Sequence, residues 1–246
     1  MTESIILYAV DNRTATITLN RPQVKNALNK ELHVALYDAL EEAKNDINVS
    51  VIVLQGSNHA FCAGADLKSI PIEEMHSFDY GQYLDETYNR LIRQIVSIDK
   101  PIVANINGIA VGAGLSIALA CDYRVADADA KMGLGFLKIG LVPDAGASYF
   151  LPRLVGLGKA NEMALGGLIS AKEAYRINLI NSIGHLDELL VQLQSMPQKA
   201  FGLMKKNFRA SFDTNLEDVL QMEVDAQRQA GETPEHKRAI QQFLSR

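Results

Sequence analysis

The spacing of apolar residues changes between two periods along the first 120 residues, and this alternation limits the possible folds most strongly. Residues 5–10 and 14–19 alternate on either side of Asp11-Asn12-Arg13, which predicts a β-hairpin with the polar triplet as its turn. From Asn29 the apolar positions recur at helical spacing up to Ala43.

The alternation of strand and helix then continues along the chain. Residues 49–54 predict a short buried strand, residues 78–98 a helix, and residues 100–111 a strand-like segment. Gly112-Ala113-Gly114 then turns the chain into an apolar helix that ends near Cys121. The pattern predicts an α/β fold in which helices cover sheets.

The second half is predicted to be mainly helical. Ser170 to Glu173 is typical of a capping box, and Thr214 to Glu217 repeats the pattern. Thr233 before Pro234 predicts a further helix start, while Pro197 breaks the helical pattern between about residues 187 and 208.

Composition excludes several classes of function. The chain has 246 residues and a net charge of −5, so it lacks the basic face of a nucleic-acid-binding protein. Two cysteines, Cys62 and Cys121, cannot form a disulfide framework, and the five histidines show no metal-ligand spacing. The longest nearly apolar run, residues 108–121, is shorter than the roughly 20 residues of a membrane span. With no basic, signal-like start, these features predict a cytoplasmic protein without metal or membrane.

Two motifs that suggest catalysis are incomplete. Gly112-Ala113-Gly114 sits like a dinucleotide-binding loop, but Ile117 stands where the third glycine is needed for close helix–strand packing. Gly114 to Ala118 is similar to a nucleophile elbow that lacks its last glycine. The downstream histidines, His185 and His236, lie among polar residues and are expected to be solvated.

Two segments of small residues follow predicted strands, at residues 60–67 and 107–114. Small residues allow close packing of backbones, and they also leave backbone N–H groups unobstructed near a ligand. The amide of Ala113 would lie at a helix N-terminus, where unpaired donors and the helix dipole favour negative charge. The sequence leaves both interpretations open.

Four motifs in order resemble the enoyl-CoA hydratase/isomerase (crotonase) superfamily over nearly the whole chain. They are Arg21-Pro22 with Asn26 to Asn29, Ala63 to Leu67, the helix from Gly112 to Asp122, and Gly140 to Ser148 followed by Leu151-Pro152-Arg153. The resemblance implies an α/β, crotonase-like spiral of ββα repeats over residues 1–190 that holds an acyl-CoA site. It also implies a C-terminal helical region at residues 191–246 that assembles homotrimers or hexamers.

The resemblance further implies that two backbone amides, those of Ala65 and Ala113, hold the thioester oxygen of an acyl-CoA. Coenzyme A is then part of the substrate, and no separate cofactor or metal is implied. Residues matching the coenzyme A subsite are Lys25, Ala27, Ala63, Gly64, Asp66 and Leu67, although Lys25 also fits a solvated loop lysine. Residues 72–83, with Glu73, Glu74, Met75, Phe78, Tyr80 and Tyr83, are expected to line the acyl pocket.

The chain departs from the family's hydratases, which carry two glutamates where this sequence has Ser116 and Phe136. Adding water needs groups that hold it and move its protons, which serine and phenylalanine cannot supply. We therefore expect these two residues to shape the pocket. Asp144 matches the base of isomerase-type members, such as 1,2-epoxyphenylacetyl-CoA and dienoyl-CoA isomerases, although aspartate there also suits a helix N-cap.

These observations predict an isomerase that moves a double bond by a proton shift through an enolate, with Asp144 as its base. Two alternatives stay open. One is an enoyl-CoA hydratase that uses Asp144 and a water, and the other is a non-catalytic acyl-CoA-binding protein.

Overall fold

The computed structural model describes residues 4–69 and 77–245 and contains ten strands in two sheets. The strands are β1 Ile6–Asp11, β2 Thr14–Leu19, β3 Val51–Gly56, β4 Ala60–Cys62, β5 Ile102–Ile106, β6 Ile109–Val111, β7 Tyr123–Ala126, β8 Lys131–Gly133, β9 Ile169–Ser170 and β10 Ser182–Ile183. The predicted hairpin is confirmed as β1 and β2. Its loop is shorter than predicted, because Asp11 pairs with Thr14 and leaves Asn12 and Arg13 alone in the turn.

Helices separate and cover the strands. They are α1 Lys30–Asn45, α2 Tyr80–Leu84, α3 Arg90–Ser97, α4 Ala113–Ala120, α5 Ala147–Val155, α6 Leu157–Ala164, α7 Ala171–Arg176, α8 Leu186–Ser195, α9 Gln198–Ala210, α10 Leu216–Gly231 and α11 Pro234–Leu244. A π-helical turn, Asp85–Asn89, joins α2 to α3. Among residues 4–69 and 77–245, no helix combines the length and apolar character that crossing a membrane requires.

From β3 to β8, successive strands alternate between the two sheets. One sheet has the order β1-β2-β3-β5-β7-β10 and the other β4-β6-β8-β9. The chain therefore visits each sheet once in every turn, and β3, β5 and β7 run parallel, as do β4, β6 and β8. This is the spiral of ββα units that the resemblance implied, and the α/β fold class is confirmed.

The predicted segment 100–111 is two strands, because the chain changes sheets at Asn107-Gly108. The side-chain amide of Asn107 accepts from the Gly56 N–H and donates to the Gly56 carbonyl, and these two hydrogen bonds fix the point at which the chain changes sheets. Gly108 has φ +139°, and a Cβ there would lie 1.9 Å from the carbonyl oxygen of His59. Only glycine allows this approach, so one apolar run supplies a strand to each sheet.

The helix α4 is buried on all sides, and its eight residues carry no charged side chain. A helix that is apolar all round belongs in a core. Gly114 makes this position possible, because a Cβ there would lie 2.4 Å from the carbonyl oxygen of Cys62 in β4. The N-terminus of α4 is thereby held beside the segment that follows β4.

The C-terminal helices confirm most of the predicted helix signals. Ser170 caps α7 by accepting from the amide of Glu173, Thr233 caps α11, and Pro197 lies between α8 and α9. The capping box at Thr214 is wrong by one residue, because Asn215 caps α10 by accepting from the Asp218 amide.

The Glu173 carboxylate does not return to the Ser170 amide. It pairs instead with the guanidinium of Arg176. The predicted boundary between residues 190 and 191 lies within α8. Leu193 of this helix packs with Phe201 against four valines of the sheet, Val51 and Val53 of β3, Val103 of β5 and Val125 of β7. The division into two regions stays a prediction.

Candidate active site

A cavity of about 410 Å³ opens where the segment after β4, the N-terminus of α4 and the loop before α5 meet. Its wall is mostly apolar and includes aromatic side chains from α2 and the π-helical turn. Ligand sites are typically apolar clefts of this size with a few polar groups. The few polar groups in this wall are therefore the candidates for binding and reacting with a ligand.

The amide of Ala65 is left free by the pairing of its neighbours. The Leu28 amide donates to the carbonyl of Gly64 at 2.8 Å, and the Asp66 amide donates to the carbonyl of Leu28 at 2.9 Å. Because backbone groups alternate in direction along an extended segment, this pairing turns the Ala65 N–H away from Leu28. Ala65 lies in the cavity wall.

The amide of Ala113 is free because it begins α4. The first bond of the helix runs from the Ser116 amide to the carbonyl of Gly112, so the preceding N–H groups have no partner within the helix. Gly64 brings the two segments together, since a Cβ there would lie 2.8 Å from the carbonyl oxygen of Val111 and 3.5 Å from the Ala113 nitrogen. Close packing of small residues thus places both amides at one wall.

Asp144 supplies the carboxyl group of the cavity wall. Its Oδ1 is buried and has no hydrogen-bond partner among the described residues. Burial raises the pKa of the Asp144 carboxyl to about 6, from an ordinary value of 3.8, because the charged form loses hydration. A carboxyl group with such a pKa can accept and return a proton near neutral pH.

The N-cap interpretation of Asp144 is wrong. The helix α5 begins at Ala147 with Gly146 as its cap, and no side chain accepts from its first amides. Asp144 contributes its backbone carbonyl instead, which accepts from the Ala147 amide at 2.9 Å. Ala145 and Gly146 both have left-handed φ angles, +49° and +82°, which is a strained arrangement for alanine.

Ser116 and Phe136 differ in position. Phe136 lies in the cavity wall, as expected. Ser116 is fully buried, is not among the residues that line the cavity, and donates its hydroxyl to the carbonyl of Gly112, so the expectation that it shapes the pocket is wrong.

The residues predicted for the coenzyme A subsite divide into two groups. Ala63, Gly64 and Leu67 line the cavity. Lys25, Ala27 and Asp66 are not part of its wall. Lys25 is exposed on a left-handed turn, while the Ala27 carbonyl and the Asp66 carboxylate both accept from Arg21. Their binding roles stay predictions.

Arg21 was not predicted to contribute a side chain to this region. Its guanidinium pairs with Asp66 at 2.9 Å, and both side chains are largely buried. It therefore ties the segment before α1 to the segment after β4, beside the free amide of Ala65. The Arg-Pro pair was visible in the sequence, but the partner of the arginine, 45 residues away, was not.

Aromatic residues form the wall on the side of α2. Phe78, Tyr80 and Tyr83 line the cavity, whereas Glu73, Glu74 and Met75 lie outside the described residues. Tyr88 of the π-helical turn also lines the cavity. His33 packs edge-on against Tyr88 with 4.2 Å between ring centroids, and burial lowers the pKa of His33 to about 4.

No cluster of three or more histidine, cysteine or carboxylate side chains suited to a metal ion occurs within residues 4–69 and 77–245. The described site therefore consists of two backbone amides, one carboxyl group and an aromatic wall.

Residues 10–246 match the family described as enoyl-CoA hydratase/isomerase. The chain is 32% identical to the 1,2-epoxyphenylacetyl-CoA isomerase of Escherichia coli K12, covering 98% of this chain and 95% of that protein. It is 31% identical to the crotonyl-CoA hydratase of Syntrophomonas wolfei, covering 99% and 96%. The crystal structure of an enoyl-CoA hydratase/isomerase from Cupriavidus metallidurans superposes with a TM-score of 0.89 at 30% identity, covering 100% and 95%.

Proposed function

The chain belongs to the enoyl-CoA hydratase/isomerase family, and we propose that it is an acyl-CoA isomerase that shifts a double bond by proton transfer. The observation that carries this proposal is the Asp144 carboxyl in the cavity wall, unpaired and with its pKa raised to about 6. The two positions at which the family's hydratases carry glutamate hold Ser116 and Phe136 here.

The amides of Ala65 and Ala113 would bind the thioester oxygen. When a proton leaves the carbon chain, the electron pair of the broken C–H bond moves toward that oxygen and gives an enolate. Donors fixed before the reaction stabilise this charge, and loss of one such donor costs about 10²–10³ in kcat in comparable sites. The N-terminal end of α4 adds its dipole to the same stabilisation.

Asp144 would act as the single base. Its carboxylate removes a proton from one carbon, the double bond shifts within the enolate, and the protonated carboxyl returns the proton to a different carbon. No atoms are gained or lost, and the carboxylate is restored. A pKa near 6 suits both steps, because the group is a base before the first transfer and an acid before the second.

Hydration is the second candidate, because relatives such as the crotonyl-CoA hydratase of Syntrophomonas wolfei carry that name. A mixing experiment separates the two activities. A conjugated 2-enoyl-CoA loses its ultraviolet absorbance on hydration, whereas the isomerase proposal predicts no net uptake of water. Rapid formation of a 3-hydroxyacyl-CoA would overturn the isomerase proposal and favour the hydratase.

The direct test is solvent deuterium exchange. The protein is incubated in D₂O with a panel of 2-enoyl- and 3-enoyl-CoAs, and label at the α and γ carbons is followed by mass spectrometry and NMR. We expect label in the wild type and its loss in Asp144→Asn. No label in the wild type with any of the compounds would leave the non-catalytic acyl-CoA-binding protein as the better explanation.

The amide of Ala113 can be tested by replacing the backbone donor. Proline is tolerated at the first position of a helix and has no N–H. Ala113→Pro is expected to lower kcat by about 10²–10³. The control Ala113→Gly keeps the N–H and is expected to retain most of the activity. Equal activity of both variants would remove this amide from the mechanism.

We also propose that the C-terminal helices assemble a homotrimer, or a hexamer of two trimers. Support comes from the exposed apolar side chains of α9, α10 and the turn between them. Contact with another subunit would remove these side chains from water. These are Phe208, Phe212, Leu220 and Val224. Light scattering on the eluted protein is expected to give three or six times the chain mass of 27.0 kDa.

A further inference from the structure

The hydroxyl group of Tyr88 has no use in the proton shift described above. Tyr88 is 4% exposed, and its hydroxyl oxygen is buried with no hydrogen-bond partner among the described residues. A buried hydroxyl without a partner is disfavoured, and native proteins rarely keep one. Because Tyr88 lines the cavity, a bound molecule can supply the missing partner.

The backbone at this position is unusual in a second way. Tyr88 is the buried residue of the π-helical turn Asp85–Asn89, which interrupts the helical segment between α2 and α3. π-helical turns are rare and occur frequently at functional sites. The turn sets the direction from which Tyr88 enters the wall, independently of its missing hydrogen bond.

Packing fixes the ring of Tyr88. His33 contacts it edge-on at 4.2 Å between centroids and 80° between planes, and Tyr83 packs against it at 6.1 Å and 69°. Burial also raises the pKa of Tyr88 above its usual range, so the hydroxyl stays neutral and keeps its proton to donate. The site thus holds a neutral donor in a fixed position.

The rest of the cavity wall indicates what kind of ligand atom would accept the hydrogen bond from Tyr88. It is largely apolar, and a hydrocarbon acyl chain would fill it without offering any acceptor to Tyr88. The free amides of Ala65 and Ala113 lie on other segments and are reserved for the thioester oxygen. A site built to bind an oxygen discriminates strongly against analogues that lack it, because its own polar group is then left unpaired.

We propose that Tyr88 determines substrate specificity by donating a hydrogen bond to an oxygen atom on the acyl group, beyond the thioester. The substrate class is then an acyl-CoA whose acyl part carries a hydroxyl, keto or ether oxygen, in preference to a plain hydrocarbon. This inference rests on the proposed function for the acyl-CoA ligand, and it is independent of the base assigned to Asp144.

The test is a binding measurement with ligands that cannot react. Dissociation constants are measured by calorimetry for matched pairs of saturated acyl-CoAs, hexanoyl-CoA against its 3-, 4- and 5-oxo and hydroxy forms, and phenylacetyl-CoA against its ring-hydroxylated forms. We expect at least one oxygen-bearing ligand to bind about 10- to 100-fold more tightly than its hydrocarbon counterpart in the wild type.

Tyr88→Phe removes the hydroxyl and keeps the ring, so it should reduce this preference to about one while hydrocarbon ligands bind as before. The matched variant Tyr83→Phe removes a hydroxyl from a half-buried tyrosine of the same wall and should leave the preference in place. A wild type without any preference, or a preference that survives in Tyr88→Phe, overturns the proposal.

Activity data separate this inference from the proposed function. If Asp144→Asn leaves isomerisation unchanged while the binding preference depends on Tyr88, the proposed mechanism fails and the inference stands. If Tyr88→Phe shifts the pH profile of turnover and changes all ligands equally, Tyr88 acts on Asp144 and the inference fails.

Discussion

Two aspartates with buried carboxylate oxygens show how differently this fold treats a carboxylate. Asp122 follows α4, and its side chain is 9% exposed. Its oxygens accept from Lys205 at 2.8 Å, from Arg209 at 3.1 Å and from the Ile102 amide at 2.9 Å. Asp144 has a buried Oδ1 that accepts from no described residue.

The comparison separates a paired carboxylate that stabilises the fold from an unpaired one that we propose takes part in chemistry. A buried charge is tolerated when partners replace its hydration. Around Asp122 those partners come from α9, so the cluster attaches a C-terminal helix to the core. No described residue donates a hydrogen bond to the Asp144 Oδ1 in place of the lost hydration, and burial raises the pKa of this carboxyl.

Replacing Asp144 is expected to have the largest effect on activity. Asp144→Asn should lower turnover by about 10²–10⁴, the contribution of a general base. Its stability should not fall, because the side chain makes no hydrogen bond that asparagine loses. Steady-state kinetics with the best enoyl-CoA of the panel, together with urea unfolding, measure both. An active variant, or one that loses stability, would make Asp144 structural.

Replacing Asp122 should lower stability and leave activity unchanged. Asp122→Asn leaves Lys205 and Arg209 without a countercharge, and removing one partner of a buried ion pair costs about 3–5 kcal/mol. The free energy of unfolding should fall by that amount, while kcat of the folded protein is retained. The control Asp225→Asn breaks an exposed pair with Arg228 and should cost less than about 1 kcal/mol. Equal losses in the two variants would remove the distinction.

The stability of the protein is also expected to depend on pH through Asp144. The folded pKa of Asp144 lies near 6 and the ordinary value is 3.8, so between pH 4 and 6 the folded state binds more protons than the unfolded state. This carboxyl therefore lowers stability as the pH rises through that window.

The variant Asp144→Asn cannot titrate, so its stability relative to the wild type should increase from pH 4 to pH 6 and then level off. Activity has the reverse sign, since the base must be ionised, and kcat/KM should fall below about pH 6. Denaturation curves at several pH values and a pH–rate profile check both. A constant stability difference across this range would contradict the raised pKa.

Local sequence signals predicted the strands and helices well, but they predicted poorly where a helix begins and where the chain changes sheets. The hairpin and α1 follow from periods that any pleated strand or amphipathic helix imposes. The cap of α10 was misplaced because Thr214 and Asn215 can both serve, and Asn215 is the residue whose side chain accepts from the Asp218 amide. The break at Asn107-Gly108 depends on contacts with Gly56 and His59, which lie about 50 residues away in the sequence.

The candidate site shows the same limit. The sequence indicated Ala65, Ala113 and Asp144 through a resemblance, and the fold brings all three to one cavity. It did not separate Ser116 from Phe136, because only the direction of each side chain from its backbone decides that one is in the core and the other in the wall. Tyr88 shares its helical spacing with the core residue Leu91, and its spacing alone could not reveal an unpaired hydroxyl.

The fold class, the family and the residue types available for chemistry could therefore be read from the amino-acid sequence, since these depend on local periodicity and on ordered motifs. Which aspartate is paired, which tyrosines line the cavity and which amides stay free depend on how distant segments pack. Pairing and hydration are properties of neighbours brought together from distant parts of the chain. They set the pKa of Asp144 and leave the hydroxyl of Tyr88 without a partner, and neither property is encoded at a single position.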